Sequence, residues 1–294
     1  MKLKSCWVNR CSRISRPDPE VPAEENEVLH LPVKRFLWKE PLWKTFVPNW
    51  HCPSCDGGYL RLKPGSLHSA ETKNSQSSHN IDGWDPDWIN LRFSAVLICN
   101  NEKCKESVSI AGRGEVRELQ TSYDGDSEYV EFYHPEYVNP SPPIIPIPGD
   151  CPTKVADELK KSFLASWCDF PAAANHIRST VERLLDFLKE PKTKLNSKGK
   201  REHIKLHDRI KNLALRDNDL SESLLAVKWL GNVGSHSDEI SRDDVFDAFD
   251  ILELIFDDLF VKHRERVKRL ITTINIKKGP AKKSKKRKGI SEFF

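Results

Sequence analysis

Seven prolines crowd residues 135–152: Pro135, Pro140, Pro142, Pro143, Pro146, Pro148 and Pro152. Each locks its own φ and lacks an N–H, so neither a helix nor a central strand is expected there. The sequence obeys different periods on either side. Upstream, residues 59–62 alternate, residues 93–98 are a short apolar run, residues 107–110 follow the second cysteine pair, and residues 129–133 alternate aromatic with polar side chains. Runs of that length beside Gly and Asn are strand signals. Downstream, Val155, Leu159, Phe163, Leu164 and Trp167 recur at helical spacing. The chain therefore reads as α+β, with a β-rich module at 50–135, a stiff connector at 136–152 and a helical module at 153–275. Ile144, Ile145 and Ile147, set between the prolines, are expected to pack against a neighbour.

The helical pattern divides into five predicted helices. The second carries Ala173, Ile177, Val181, Leu184, Leu185 and Leu188; the third carries Ile204, Leu206, Ile210 and Leu213. A fourth, with Leu220, Leu224, Leu225 and Leu230, is expected to stop at Gly231-Asn232. Before the fifth, Ser241 and Asp244 have capping-box spacing. An apolar stripe of Phe246, Phe249, Phe256 and Phe260 follows. Asp243, Asp247, Asp250 and Asp257 share another face of that helix, read here as solvated. Residues 1–49 have no period and interleave Phe36, Trp38, Trp43, Phe46 and Trp50 with prolines, which reads as an extended aromatic arm. Residues 64–83 are polar and read as a mobile surface loop, beyond which Trp84 and Trp88 bracket Asp85-Pro86-Asp87.

Charge is uneven along the 294 residues. From Lys262 onward there are 13 Lys/Arg and two Glu, whereas the rest holds 34 basic and 41 acidic residues. Affinity for phosphates through counterion release is thus expected of the C-terminal segment, not of the body. No apolar run approaches the roughly 18 residues of a membrane span, and residues 1–16 lack an apolar signal core. The expectation is a cytoplasmic chain with no membrane partner.

Eight cysteines without an export signal argue against a disulfide framework. Cys52-Pro53-Ser54-Cys55 and Cys99-x4-Cys104 form two short hooks, each beside a predicted strand. Four thiolates on two such hooks are a structural Zn2+ site, as in a zinc ribbon. Gly57 and Gly58 suit the tight turn after the first hook. The competing reading is four free thiols in a reducing compartment. His51 is expected outside the ligand shell, and Cys6 and Cys11 bind a second ion only with partners the sequence does not reveal.

Residues 140–275 resemble the helical domain of unknown function 4145 family, part of the wider HEPN group of bundles. The match lies in Ile147-Pro148-Gly149-Asp150-Cys151-Pro152, in Ala172-Ala173-Ala174-Asn175-His176-Ile177-Arg178, and in Lys228-Trp229-Leu230-Gly231-Asn232-Val233-Gly234-Ser235-His236. The resemblance implies a HEPN-like bundle behind a zinc ribbon, a homodimer, and a suspected role in prokaryotic defence. Nuclease members of the HEPN group pair an Arg with a His to cleave RNA through its 2′-hydroxyl. Here His236 is preceded by Lys228 and Asn232, and Gly231 stands where that motif places Arg. Lys lacks the bidentate fork of Arg. The structural alternative is that Gly231 closes the helix, Asn232 takes the left-handed turn and His236 packs the next helix.

Arg201-x5-His207 also has nuclease spacing, and His203 with His207 has metal spacing on one helix face. Neither has further partners in sight. Residues 276–294 read as a basic tail, disordered alone. Six of the seven residues 282–288 are basic, an RNA or DNA footprint. Ile290, Phe293 and Phe294 resemble the plug of clamp-binding peptides and suggest a protein partner. The sequence thus favours a zinc-binding adaptor, not an enzyme, associated with nucleic acid. An endoribonuclease using His236 and a dimeric scaffold without nucleic acid are the alternatives.

Overall fold

The computed structural model describes residues 33–43, 45–120, 127–236 and 240–281, with backbone alone at 233–236 and 263–265. Cys6, Cys11 and the 282–294 tail lie outside the described residues. A short helix α1 (Phe36–Lys39) and strand β1 (Leu42–Trp43) lead into β2 (Leu60–Leu62), β3 (His68–Glu71), helix α2 (Lys73–Ser78), β4 (Asn90–Cys99), β5 (Ser107–Gln120) and β6 (Ser127–Asn139). These strands form one antiparallel sheet in the order β1-β6-β5-β4-β2, and β3 also pairs with β4.

Alternation sets the sheet's buried face. Leu91, Phe93, Ala95, Leu97 and Cys99 point inward along β4. Opposite them, β5 turns Val108 and Ile110 inward before its register shifts between Ala111 and Gly112. The shift explains how β6 tolerates Pro135. It pairs with Gly112 at a bulge, where a missing N–H breaks no regular ladder. A Cβ on Gly112 would collide with the His134 carbonyl and lie 2.9 Å from the Glu136 nitrogen. The strand therefore runs four residues into the segment that proline density marked as connector.

Residues 68–78, expected as mobile loop, hold β3 and α2 instead. Their order comes from polar bonds, not from apolar periodicity. Ser75 Oγ donates to Glu71 at 2.5 Å and accepts from the Asn90 backbone at 3.1 Å.

The helical half comprises α3 (Thr153–Ala165), α4 (Phe170–Phe187), a β7–β8 hairpin (Thr193–Leu195 and Arg201–His203), α5 (Leu206–Leu213), α6 (Asn218–His236), α7 (Arg242–Phe256), a π-helical turn (Asp257–Val261) and α8 (His263–Lys277). Helix α4 turns Ala173, Ala174, Ile177, Val181, Leu184 and Leu185 into the core, with Pro171 in its first turn and the Asp169 carboxylate accepting from the Ala172 N–H. Ile145 is buried in the same core, with Ile144 and Ile147 against it. The Ser241–Asp244 capping box opens α7 as expected. No described helix is long and apolar enough to cross a membrane.

Two sequence readings change here. Helix α6 runs through Gly231 to His236 instead of ending there. Gly231 serves packing: a Cβ would stand 3.0 Å from Arg178 Cβ and 3.1 Å from the Ala174 carbonyl. Phe246, Phe249 and Phe256 of the apolar stripe fill the chain's own core. Second, the acidic face of α7 is clasped. Arg35 bonds Asp247 and Asp250 at 2.5 and 3.0 Å, and Lys39 bonds Asp243 at 2.8 Å.

The arm, the sheet and the helical half meet at three indoles. Trp38 and Trp50 stack at 6.3 Å, and Trp167 meets both edge-on at 5.4 and 5.0 Å. Trp50 also donates its indole N–H to the Leu37 carbonyl at 2.7 Å.

Gly231 gives a test of sign. In an open helix Gly→Ala stabilises by about 1 kcal/mol. Here Gly231→Ala is expected to destabilise by about 1–3 kcal/mol, because the crowding atoms belong to the backbone and Cβ of α4. Urea denaturation of the two proteins measures the difference.

Candidate metal centre

The first hook hangs between Trp50 and β2. Leu60 N–H donates to the Trp50 carbonyl at 2.9 Å, and Cys52 N–H to the Gly58 carbonyl at 2.8 Å. Gly57 turns the chain back at φ +81°, in the left-handed region. The second hook begins where β4 ends. Cys99 N–H donates to Glu106 O at 2.9 Å, and Cys104 N–H to Asn101 O at 2.9 Å. The hooks are tied to each other through Tyr59 and Asn100. Tyr59 N–H donates to Asn100 Oδ1 at 2.8 Å, and Asn100 N–H to the Tyr59 carbonyl at 2.9 Å.

These bonds bring the sulfurs of Cys52, Cys55, Cys99 and Cys104 within 4.8 Å of one another. Cys52 and Cys104 Sγ are 3.8 Å apart, and Cys55 and Cys99 Sγ are 3.6 Å apart. Disulfide sulfurs lie about 2.0 Å apart, so the four are free thiols. A tetrahedral ion with metal–sulfur bonds of about 2.3 Å requires sulfur–sulfur edges of about 3.8 Å. The Cys52–Cys104 and Cys55–Cys99 edges lie close to that figure.

The surroundings suit thiolates. Ser54 N–H points at Cys52 Sγ and Asn101 N–H at Cys99 Sγ, both at 3.4 Å. Asn101 Nδ2 lies 3.6 Å from Cys55 Sγ. Burial pushes the Cys52 thiol up to about 12, so it sheds its proton at neutral pH only against a cation. Gly58 leaves room for the sulfurs: a Cβ there would strike Cys99 Sγ and approach Cys55 Sγ to 2.8 Å. His51 stays outside, its ring against Tyr59 at 4.8 Å. The four thiols can hold one metal ion, with every tetrahedral position filled by protein.

Of the other cysteines described, Cys151 is partly buried, with a thiol pushed up to about 11 by burial, and Cys168 is exposed.

A second constellation lies on α6. Lys228, Asn232 and His236 follow one another at four-residue intervals along this helix. Lys228 is buried, and its Nζ sits 3.3 Å from the centre of the Trp229 ring. Burial, reinforced by nearby Arg178, lowers its pKa below the usual lysine range. Arg178 of α4 donates to Asn232 Oδ1 at 3.3 Å. The structure thus adds a guanidinium that the loop motif lacks. Its sequence signal was present in the Asn-His-Ile-Arg stretch, but only the α4–α6 packing shows where it points.

Arg201 and His203 lie on β8 and His207 on α5, so the proposed one-face pair does not form. Trp84 packs on His79 at 4.4 Å, while Trp88 is exposed beside it in a 3-10 turn.

Residues 160–282 match the family model described as Domain of unknown function (DUF4145). Residues 40–140, which include both cysteine hooks, match Domain of unknown function (DUF8608). No curated protein and no solved structure matches the chain. The four clustered cysteines thus lie in the region that matches DUF8608, whereas Lys228, Asn232 and Arg178 lie in the region that matches DUF4145.

Sequence spacing picked out the four thiols that cluster. It missed Asn101, whose role depends on a side chain folding back across the second hook. Asn101→Ala is expected to retain the ion but to weaken its hold by about 10–100-fold, a typical cost of losing a group that orients a ligand. Gly58→Ala should lose the ion outright. Competition with a chromogenic chelator measures both.

Proposed function

We propose that this chain is a zinc-bound, non-catalytic adaptor that works beside nucleic acid. The observation that carries the reading is the closed set of four thiols. Catalytic zinc keeps a position open for water or substrate, while a four-thiolate shell is structural. Zinc suits a tetrahedral, all-sulfur site whose task is to fold a loop pair. The metal would join two hooks that otherwise share only a few backbone bonds.

The nucleic-acid part rests on charge. The basic segment begins on α8, where Arg266, Lys268, Arg269 and Lys277 are exposed, and continues into residues 282–288. Ile290, Phe293 and Phe294 would add a protein contact beyond it. In a homodimer the surface would be α8 as well, whose Val267, Leu270, Ile271 and Ile274 lie exposed at helical spacing.

One observation favours a second reading, a metal-independent endoribonuclease. Arg178 beside Asn232 could steady a phosphate while His236 moves protons. Against it, Lys228 is held on the Trp229 ring and Arg178 already bonds Asn232.

Two assays separate the readings. Binding to a random single strand should show a log–log salt slope of about −4 for six cations, and deletion of residues 282–294 should flatten it. Labelled RNA should stay intact with the protein in chelator. Cleavage that disappears in His236→Ala or Arg178→Lys would establish the nuclease instead.

A further inference from the structure

A cavity of about 270 Å³ opens where the arm, β5–β6 and the helical half converge. It lies apart from the cysteine cluster and from Lys228. Trp38 and Trp167 give it an apolar wall, and Arg242, Arg113, Lys39, Glu40 and Glu136 reach it as charged groups. Its size falls below the roughly 300–1,000 Å³ of pockets for drug-sized ligands, which limits an occupant to a small molecule.

The charges in this cavity do not cancel. Lys39 is paired with Asp243 at 2.8 Å, Arg113 with Glu136 at 3.4 Å, and His134 with Glu115 at 3.2 Å. Arg242 is different. It starts α7, is half-buried, donates one N–H to the Trp38 carbonyl at 2.9 Å and lies 5.3 Å from the Phe170 ring centre. No carboxylate among the described residues lies within ion-pair distance of it. Burial, with help from Arg113, pushes its pKa down although Asp243 pulls the other way. A desolvated cation of this kind is costly unless an anion joins it. Its guanidinium keeps N–H groups beyond the one that Trp38 uses. Glu40, exposed at the rim, forms no ion pair among the described residues and repels a second negative charge.

We propose that the cavity binds a small organic monocarboxylate, its carboxylate on the Arg242 guanidinium and its apolar body against Trp38 and Trp167. Arg242, a lining cation with no carboxylate partner among the described residues, matches one negative charge. The aromatic wall distinguishes this ligand from a free inorganic anion.

The test uses the full chain and three probes of similar shape: phenylacetate, its neutral amide, and phenyl phosphate. Calorimetry should show phenylacetate binding with a Kd of about 1 mM or better, at least about tenfold tighter than the amide or phenyl phosphate. Arg242→Gln keeps a donor for the Trp38 carbonyl and should remove the preference for phenylacetate over the amide. Glu40→Gln, at an exposed position, should tighten phenyl phosphate about two- to fivefold. Absence of phenylacetate binding up to about 10 mM overturns the proposal. Equal binding of acid and amide, or an unchanged preference in Arg242→Gln, does the same. If that variant does not fold, Glu40→Gln decides: unchanged phenyl phosphate affinity counts against the site.

Discussion

Four sulfurs, those of Cys52 and Cys99 on buried residues, cannot sit within 4.8 Å of one another as thiolates unless a cation stands between them. Like charges at that separation repel, and burial penalises that of Cys52 further. As neutral thiols they form only weak hydrogen bonds, too little to fix two loops. An ion held there would therefore be the constraint from which the first half follows. It would close the hook after Trp50 onto the turn that ends β4. That places β2 beside the last residues of β4, with Leu60 opposite Cys99. Gly58 and Gly57 are consequences: one leaves space for sulfur, the other turns the chain.

The hook also holds Trp50, and through it the joint between the halves. Trp50 is fully buried and meets Trp38 of the arm and Trp167 of the helical half. Trp167 belongs to the core of the sheet although it follows α3 in sequence. The arm makes a second fastening with Arg35 and Lys39 on the acids of α7. These pairs are partly exposed, so each adds little stability alone; their effect is to fix where the arm lies. The cavity beneath Arg242 sits between these two fastenings.

Much of this was legible in the sequence because it follows short-range rules. The Cys spacing named all four clustered thiols, and helical periodicity found α3, α4, α5 and α7. The capping box gave the start of α7. What the sequence did not show depends on contacts made at a distance. Pro135 looked like the end of the sheet, since nothing local says that Gly112 makes a bulge opposite it. Gly231 looked like a helix stop, since a glycine for close packing and one for a C-cap read alike until α4 lies against it. The β3–α2 segment has no apolar period, and its order comes from Ser75. The hairpin before α5 is exposed and only three residues per strand, below what alternation can reveal. The α7 acids looked solvated because their partners lie about 200 residues earlier in the chain.

X-ray absorption at the metal edge of the purified, reduced protein tests the central claim most directly. The account predicts zinc with a single shell of four sulfurs at about 2.3 Å and no nitrogen or oxygen neighbour. A shell containing nitrogen or oxygen, a different metal, or a metal-free protein with four thiols open to alkylation would contradict it.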